Sequence, residues 1–369
     1  MQITVLNEDF EIIGIIGVFT SLQWNRKYYE PGTFQLDVPA SYFPILNAGK
    51  YICRNDRDEL GVIQVANYKK DDSGSQEARC KGTFAEYLLN YRVIPLTFAM
   101  TGTPEDIGRK LVDTLAIHPS NTDRVLPNVR LGGKTGIGES LSFQSTGDVL
   151  GDTLYSLETT QEASHRLAYG YLDNSLTYEV WKGKNRTDTQ TENSWAVFSD
   201  SFYNVKNVEY YRDNTNYYNV AYVAGEGTGA SRTVVEVDLR TSGEKDRREL
   251  YVDARDLQKE YKDSNGADKV YTDDQYIALL RQRGIEKLCE YALVETAGSD
   301  IDANANLIYR KDFDLGDLCT YRNSSMNMDF NLRITEIDEV YEGAEVKLGI
   351  VLGTNNLSTL SKIIKREVK

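Results

Sequence analysis

The sequence predicts a mainly β protein carrying an α+β insertion, and three observations lead there. Apolar and polar residues alternate with a period of two toward both ends of the chain. Turn-forming clusters separate several of these runs at hairpin spacing. Between the ends lies a block in which apolar residues recur at helical spacing behind capping residues.

In chain order, "VFTSLQWNRKYYEPGTFQLDVP" reads as a hairpin, with Phe34, Leu36 and Val38 alternating against polar neighbours and Pro31-Gly32 placed for the centre of a type II turn. "LGVIQVANYKK" and "QEARCKGTF" continue the pattern on either side of the polar turn "DDSGS". A small antiparallel sheet or barrel is expected over residues 1–95. In "TPEDIGRKLVDTL", Thr103 caps a helix, Pro104 takes its first position, and Ile107, Leu111 and Leu115 follow at every fourth residue. A second helix is expected in "TGDVLGDTLYSLETTQEA", with Val149, Leu150, Leu154 and Leu157 on one stripe. Leu176, Tyr178 and Val180 then alternate as a strand, closing an α+β block over 96–198.

The last block, 199–369, opens with strands. A long helix follows at Thr272-Asp273-Asp274-Gln275, a capping box that sets Ile277, Leu280, Leu288 and Ala292 near one face. "AEVKLGIVLG" alternates Val346, Leu348, Ile350 and Leu352 as a strand, and "NLSTLSKIIKREVK" reads as a terminal helix or a frayed tail. With no linker and no internal repeat between them, the three blocks are expected to be closely joined or interleaved.

Composition narrows the function. Lys and Arg total 42 against 56 Asp and Glu, a formal net charge of −14 that disfavours sequence-specific nucleic-acid binding. No stretch approaches the ~20 apolar residues of a membrane helix, and the acids of "MQITVLNEDFEIIGIIGVFT" stand where a signal peptide carries lysines. The expectation is a protein made and kept in a cytoplasm, or leaving by a route other than secretion. Cys53, Cys80, Cys289 and Cys319 lie far apart and are expected to be free, mostly buried thiols. The two histidines, His118 and His165, offer little to a Ser-His-Asp arrangement, and His165 after Ser164 is read as a surface or helix-end residue.

Four stretches imitate reactive motifs. Gly133-Lys134-Thr135 ends like a phosphate-binding loop, but Asn128 stands where its leading glycine belongs. Gly225, Gly227 and Gly229 lie between two strand-like runs and read as a hairpin loop. Asp312, Asp314 and Asp317 suggest a calcium loop, yet Leu315 precedes the glycine, so an acidic turn is favoured over a weak cation site. "SGEKDRRELYVDARDL" sets Glu244, Asp246, Glu249, Asp253 and Asp256 among Lys245, Arg247, Arg248 and Arg255. Adjacent arginines favour the ionised form of every carboxylate, which suits ion pairing rather than general acid catalysis.

Several phrases together carry a resemblance: "EPGTFQLDVP", "GTFAEYLLNYRVI", "VFSDSFYNVKNVEYYRDNTNYYNVAYVAGEG", "RRELYVDARDL", "RKDFDLGDLCTYRN" and "LRITEIDEVYEG". In this order and spacing the chain resembles the tail-tip or baseplate hub proteins of siphophages and prophages. The same family supplies the N-terminal part of tail-associated lysins and is a distant relative of the hub of contractile tails. The resemblance implies two related β-barrel domains per subunit and a homotrimer forming a pseudo-sixfold ring at the tip of the tail tube. It implies as partners the distal tail protein, the tape-measure protein, and fibres, spike or a receptor-binding protein, with DNA leaving through an opened ring. It implies no cofactor, no metal and no catalytic residue. Arg247, Arg248, Glu249, Asp253, Arg255 and Asp256 become its expected structural or interface signature. A channel wall carrying part of the net negative charge is a further expectation. The alternative is a cell-wall hydrolase or a receptor- or carbohydrate-binding tail module that uses Asp246, Glu249, Asp253 and Asp256.

Overall fold

In the computed structural model, which describes residues 1–262, 267–301, 306–324, 326–343 and 345–353, the alternating runs at the two ends of the chain build one sheet rather than two. The first stretch supplies β1 (Ile3–Leu6), β2 (Ile12–Ile16), β3 (Ser21–Lys27), β4 (Thr33–Pro39), helix α1 (Phe43–Ala48), β5 (Tyr51–Arg54), β6 (Leu60–Lys70) and β7 (Gln76–Phe84). The middle stretch supplies β8 (Phe98–Gly102), α2 (Pro104–Val112), β9 (Val129–Leu131), β10 (Leu141–Ser145), α3 (Leu150–Thr159), β11 (Ser164–Gly170) and β12 (Ser175–Trp181). Then follow β13 (Asn185–Arg186), β14 (Val197–Ser199), β15 (Val205–Asp213), β16 (Val220–Ala224), β17 (Val234–Asp238), β18 (Glu249–Asp253), β19 (Glu260–Lys262) and β20 (Asp268–Val270). Helix α4 (Asp273–Glu290), β21 (Val294–Ile301), β22 (Leu318–Asn323), β23 (Met328–Glu342) and β24 (Glu345–Gly353) complete the described chain.

Fourteen strands form the main sheet among the described residues, along the path β15-β21-β24-β23-β3-β4-β7-β6-β5-β1-β2, with β13, β14 and β22 branching from β23. Antiparallel pairing of β3 with β23, from Lys27 opposite Glu336 to Ser21 opposite Glu342, fuses the first and last stretches. The expected barrels are therefore not present as closed sheets within one subunit. Each half gives its edge to the other instead of curling back on itself, so the path stays open at β15 and at β2. The same fusion shows in the cores. Tyr28 and Tyr29, just beyond β3, pack with Phe198, Phe313, Leu332 and Ile350, while Leu6, Leu60 and Val62 pack with Ile107, Leu154 and Tyr178 of the middle stretch.

Local expectations met tertiary structure with mixed results. Thr103 accepts from Asp106 N at 3.1 Å to open α2 ahead of Pro104, and Thr272 and Gln275 close the capping box of α4. Leu176, Tyr178 and Val180 are buried on β12. The hairpin of β3 and β4 is present, but Gly32 has a negative φ and its predicted type II turn does not form. Glycine is required there for closeness: a Cβ would collide with the Phe84 ring and the Asn25 carbonyl. Helix α4 ends before Ala292, and its buried face is Tyr276, Leu279, Leu280 and Leu288, with Ile277 only half-buried. Val346 is exposed although Ile350 and Leu352 on the same strand are buried, because the outer end of β24 runs past the core. The predicted terminal helix or tail lies outside the described residues.

Candidate functional site

Strands β17, β16 and β18 form a separate small sheet, with β16 in the centre. Period two sends Val223, Val235, Val237 and Val252 inward against Tyr276, Leu279 and Leu280 of α4. It sends Tyr222, Glu236, Asp238, Glu249 and Asp253 to the opposite, solvent-facing side. Arg247, just before β18, reaches across this face. Its guanidinium lies 2.5 Å from Glu249 and 3.1 Å from Glu236, and donates to Tyr222 Oη at 2.8 Å.

The other predicted residues are paired as well. Arg248 holds Asp246 at 2.9 Å and donates to the Asn214 carbonyl at 2.6 Å, while its own N–H donates to Asn219 Oδ1 at 2.8 Å. Asp253 is gripped by Arg255 at 2.6 Å and also by Arg232. Asp256 accepts from Arg283 of α4 at 2.9 Å, tying the strand's exit to the helix. Hydrogen bonds from Arg255 and Arg232 hold the Asp253 carboxyl down at about 2, and those from Arg240 do the same for Asp238. Asp253 and Asp238 are thereby held as anions, which suits ion pairing rather than proton donation at these two positions.

The largest concentration of buried charge lies elsewhere, at the seam of β3 and β23, and the sequence reading missed it. Glu339 of β23 accepts from Arg57 at 2.7 and 3.0 Å, from Arg54 at 3.0 Å, from Tyr341 Oη at 2.7 Å and from Tyr309 Oη at 2.9 Å. Arg54 has no exposed side-chain surface. Arg26 of β3 extends the cluster through Glu59 at 2.5 Å, Asp314 at 2.6 Å and Tyr309 Oη at 2.8 Å. Burial alone would raise the Glu339 carboxyl; the hydrogen bond from Arg57 and the charges of Arg54 and Arg57 overcome it and hold it at about 2. A signal was available: Arg26 continues the inward phase of Leu22 and Trp24, and Glu339 that of Ile337.

The ends of the open sheet differ. At one end β2 pairs only with β1, and Ile12, Ile15 and Val18 in and beside it are 58%, 50% and 63% exposed. At the other end β15 carries an irregularity between Lys206 and Glu209 and exposes Lys206, Glu209 and Arg212, devices that discourage pairing with another strand. The apolar edge β2 also carries an irregularity, opposite Val5 and Leu6, but exposes no charged side chain along Ile12–Ile16.

The motif-like stretches resolve into structure. The loop with Gly133-Lys134-Thr135 cradles an anion from its own chain: Thr135 N, Gly136 N and Ile137 N donate to the buried Glu105 carboxylate at 2.7, 2.6 and 2.9 Å. Gly225, Gly227 and Gly229 lie between the antiparallel strands β16 and β17, as expected of a hairpin loop. Asp314 faces Arg26 and Asp317 faces Arg186 at 2.7 Å, and among the described residues no group of three acids, histidines or cysteines is placed to hold a metal. His165 corrects the expectation of a surface residue: it is a buried residue of β11, its Nδ1 2.7 Å from Glu158 Oε2 under the Tyr155 ring. Cys53, Cys80 and Cys319 are free and buried, and Cys289 is half-buried. Among the described residues no helix is long and apolar enough to cross a membrane.

The family described as "Siphovirus ReqiPepy6 Gp37-like protein" matches residues 2–354. The fold is shared with the tail protein from Neisseria meningitidis MC58 (12% identity, TM-score 0.55, 95% of this chain and 95% of that one). It is shared with prophage tail protein gp18 from Listeria monocytogenes EGD-e (12%, 0.56, 100% and 98%). The prophage MuSo2 43 kDa tail protein from Shewanella oneidensis also has it (13%, 0.57, 96% and 99%). No curated protein matches.

Proposed function

Because the chain belongs to the siphovirus ReqiPepy6 Gp37-like family of phage tail proteins, we propose that it is the structural hub of a siphophage or prophage tail tip. Three copies form a ring that continues the tail tube, join the distal tail protein to fibres, spike or a receptor-binding protein, and release the tape measure and DNA on opening. The ring is assembled in the host cytoplasm and resides at the tip of the virion tail. Residues 1–95 and 199–369 act as the two related barrel-type modules and 96–198 as the insertion between them. Closure into a barrel is then completed between subunits, since the sheet of one subunit is open.

The observation that carries this reading is the open fourteen-strand sheet with one charged edge and one uncharged, apolar edge. Such an edge is a docking element for another chain. A structural role rather than a catalytic one is favoured by the signature residues, which are committed to ion pairs with one another and with α4. In this reading the channel wall is the concave sheet face around Gln23, Gln35 and Gln64, where Lys81 and Lys347 stand with Asp300 and Asp338. Its charges balance, which moves the surplus of acid away from the lumen.

Sedimentation of the purified protein tests the proposal. A species of three times 41.8 kDa that co-elutes with the distal tail protein is expected. A monomer at high concentration that ignores the distal tail protein overturns it.

A further inference from the structure

Across the middle of the main sheet runs an open trough of about 670 Å³, and the strand register fixes which side chains share it. Asp300 of β21 stands opposite Gly349 of β24, Gly349 opposite Asp338 of β23, Asp338 opposite Asn25 of β3, and Asn25 opposite Thr33 of β4. Two residues along each strand, and so on the same face, a second rung joins Lys347, Val340, Gln23, Gln35 and finally Lys81 of β7. The trough is two side chains wide and several strands long. Its axis lies across the strands.

Charge is graded along this axis. Asp338, toward one end, is half-buried, accepts from Asn25 Nδ2 and is in no ion pair among the described residues. Burial pushes its carboxyl up, against that hydrogen bond and the charge of Lys27. Asp300, two strands further out, accepts from a neutral donor, Asn207 Nδ2, at 2.6 Å. Lys347 stands near these acids but is held by Glu342 at 3.3 Å. Lys81, toward the other end, is exposed and is in no ion pair among the described residues. Between the free acid and the free base stand the amides of Asn25, Gln23 and Gln35 and the Thr33 hydroxyl, groups that both donate and accept.

We propose that the trough binds an extended polypeptide segment laid across the strands, with a basic side chain at Asp338 and an acidic one at Lys81. The strands of its floor are paired on both sides, so side chains hold the segment and no strand is added. Primary amides suit a peptide unit, since each offers it a donor and an acceptor at once. Asp338 and Lys81 are three strand spacings and one rung apart, about 16 Å. Four residues of extended chain cover about 13 Å and point both charged side chains the same way, and the length of the Lys81 side chain spans the remainder. A glycan is disfavoured, because its rings stack on exposed aromatic faces and Phe34, the aromatic residue of the lining, is 3% exposed. The acids disfavour a polyanion. The inference goes beyond the hub reading and does not rest on it, because the trough lies within one subunit.

Titration of the full chain with a synthetic peptide, followed by NMR amide shifts, tests the proposal. The peptide is capped at both ends and built of serine and asparagine, with one lysine and one glutamate four positions apart. Saturable binding with shifts at Gln23, Asn25 and Gln35 is expected. Lys81→Glu is expected to weaken it about tenfold, and a second peptide with lysine in place of the glutamate is expected to recover the loss in that variant. Lys81 is exposed, so the variant keeps the fold. No saturable binding to the unaltered protein, equal binding by Lys81→Glu, or no recovery with the second peptide overturns the proposal. Binding of a neutral oligosaccharide at these residues in place of the peptide overturns it as well. None of these outcomes bears on the trimer, which sedimentation tests separately.

Discussion

Glu339 shows what a single residue decides in this fold. Its carboxylate serves two arginines and two tyrosines inside the seam of β3 and β23, so its loss leaves the buried Arg54 and half-buried Arg57 with Asp56 as their remaining carboxylate. Glu339→Gln is expected to cost about 1.5–3 kcal/mol of stability, measured by chemical denaturation, since Asp56 still pairs with both arginines. The pH dependence has a definite sign. A carboxyl held at about 2 when folded binds fewer protons than in the unfolded chain, so its contribution is present above the ordinary carboxylate range and is lost as pH falls toward about 2. Stability curves of the unaltered protein and Glu339→Gln are expected to converge on acidification; a constant gap between them contradicts the assignment. Glu105 shows the opposite route to the same end, with backbone N–H groups in place of arginines holding its carboxyl below the usual range despite burial.

At the level of elements, what a short window of sequence determines was readable, and what depends on a distant partner was not. Caps at Thr103 and Thr272, the alternation of β12, and the pairing of β6 with β7 are local matters. The pairing of β3 with β23 is not, and neither is the bonding of Arg54 to Glu339, because nothing near Trp24 in sequence announces its neighbour. Of the candidate site, the ion-paired character of residues 246–256 was legible from alternating charge, whereas their partners Tyr222, Glu236 and Arg283 were not. Two predictions belong at this scale. Arg248→Glu removes the bonds to Asp246 and to the Asn214 carbonyl and is expected to cost about 1 kcal/mol, read from the thermal midpoint. Ile13→Lys with Ile15→Lys places charges on the bare edge strand. It is expected to leave the subunit's stability within ~0.5 kcal/mol per site while abolishing the proposed trimer in sedimentation. A trimer that survives both lysines locates the contact away from β2.

For the whole molecule, the main sheet makes the first and last stretches interdependent. A chain ending at Asn323 lacks β23 and β24, so it is expected to show unprotected amides in β3 by hydrogen exchange, although every residue of the first seven strands is present. Protection of β3 in that shortened chain would mean that the first stretch folds alone. The seam also has a consequence for synthesis. Trp24 and its neighbour Glu339 are 315 positions apart (339 less 24), so at roughly 5–20 residues per second the ribosome needs on the order of tens of seconds between them. During that time one flank of β3 has no strand to pair with. A prematurely terminated product therefore lacks the finished sheet and keeps one flank of β3 unpaired.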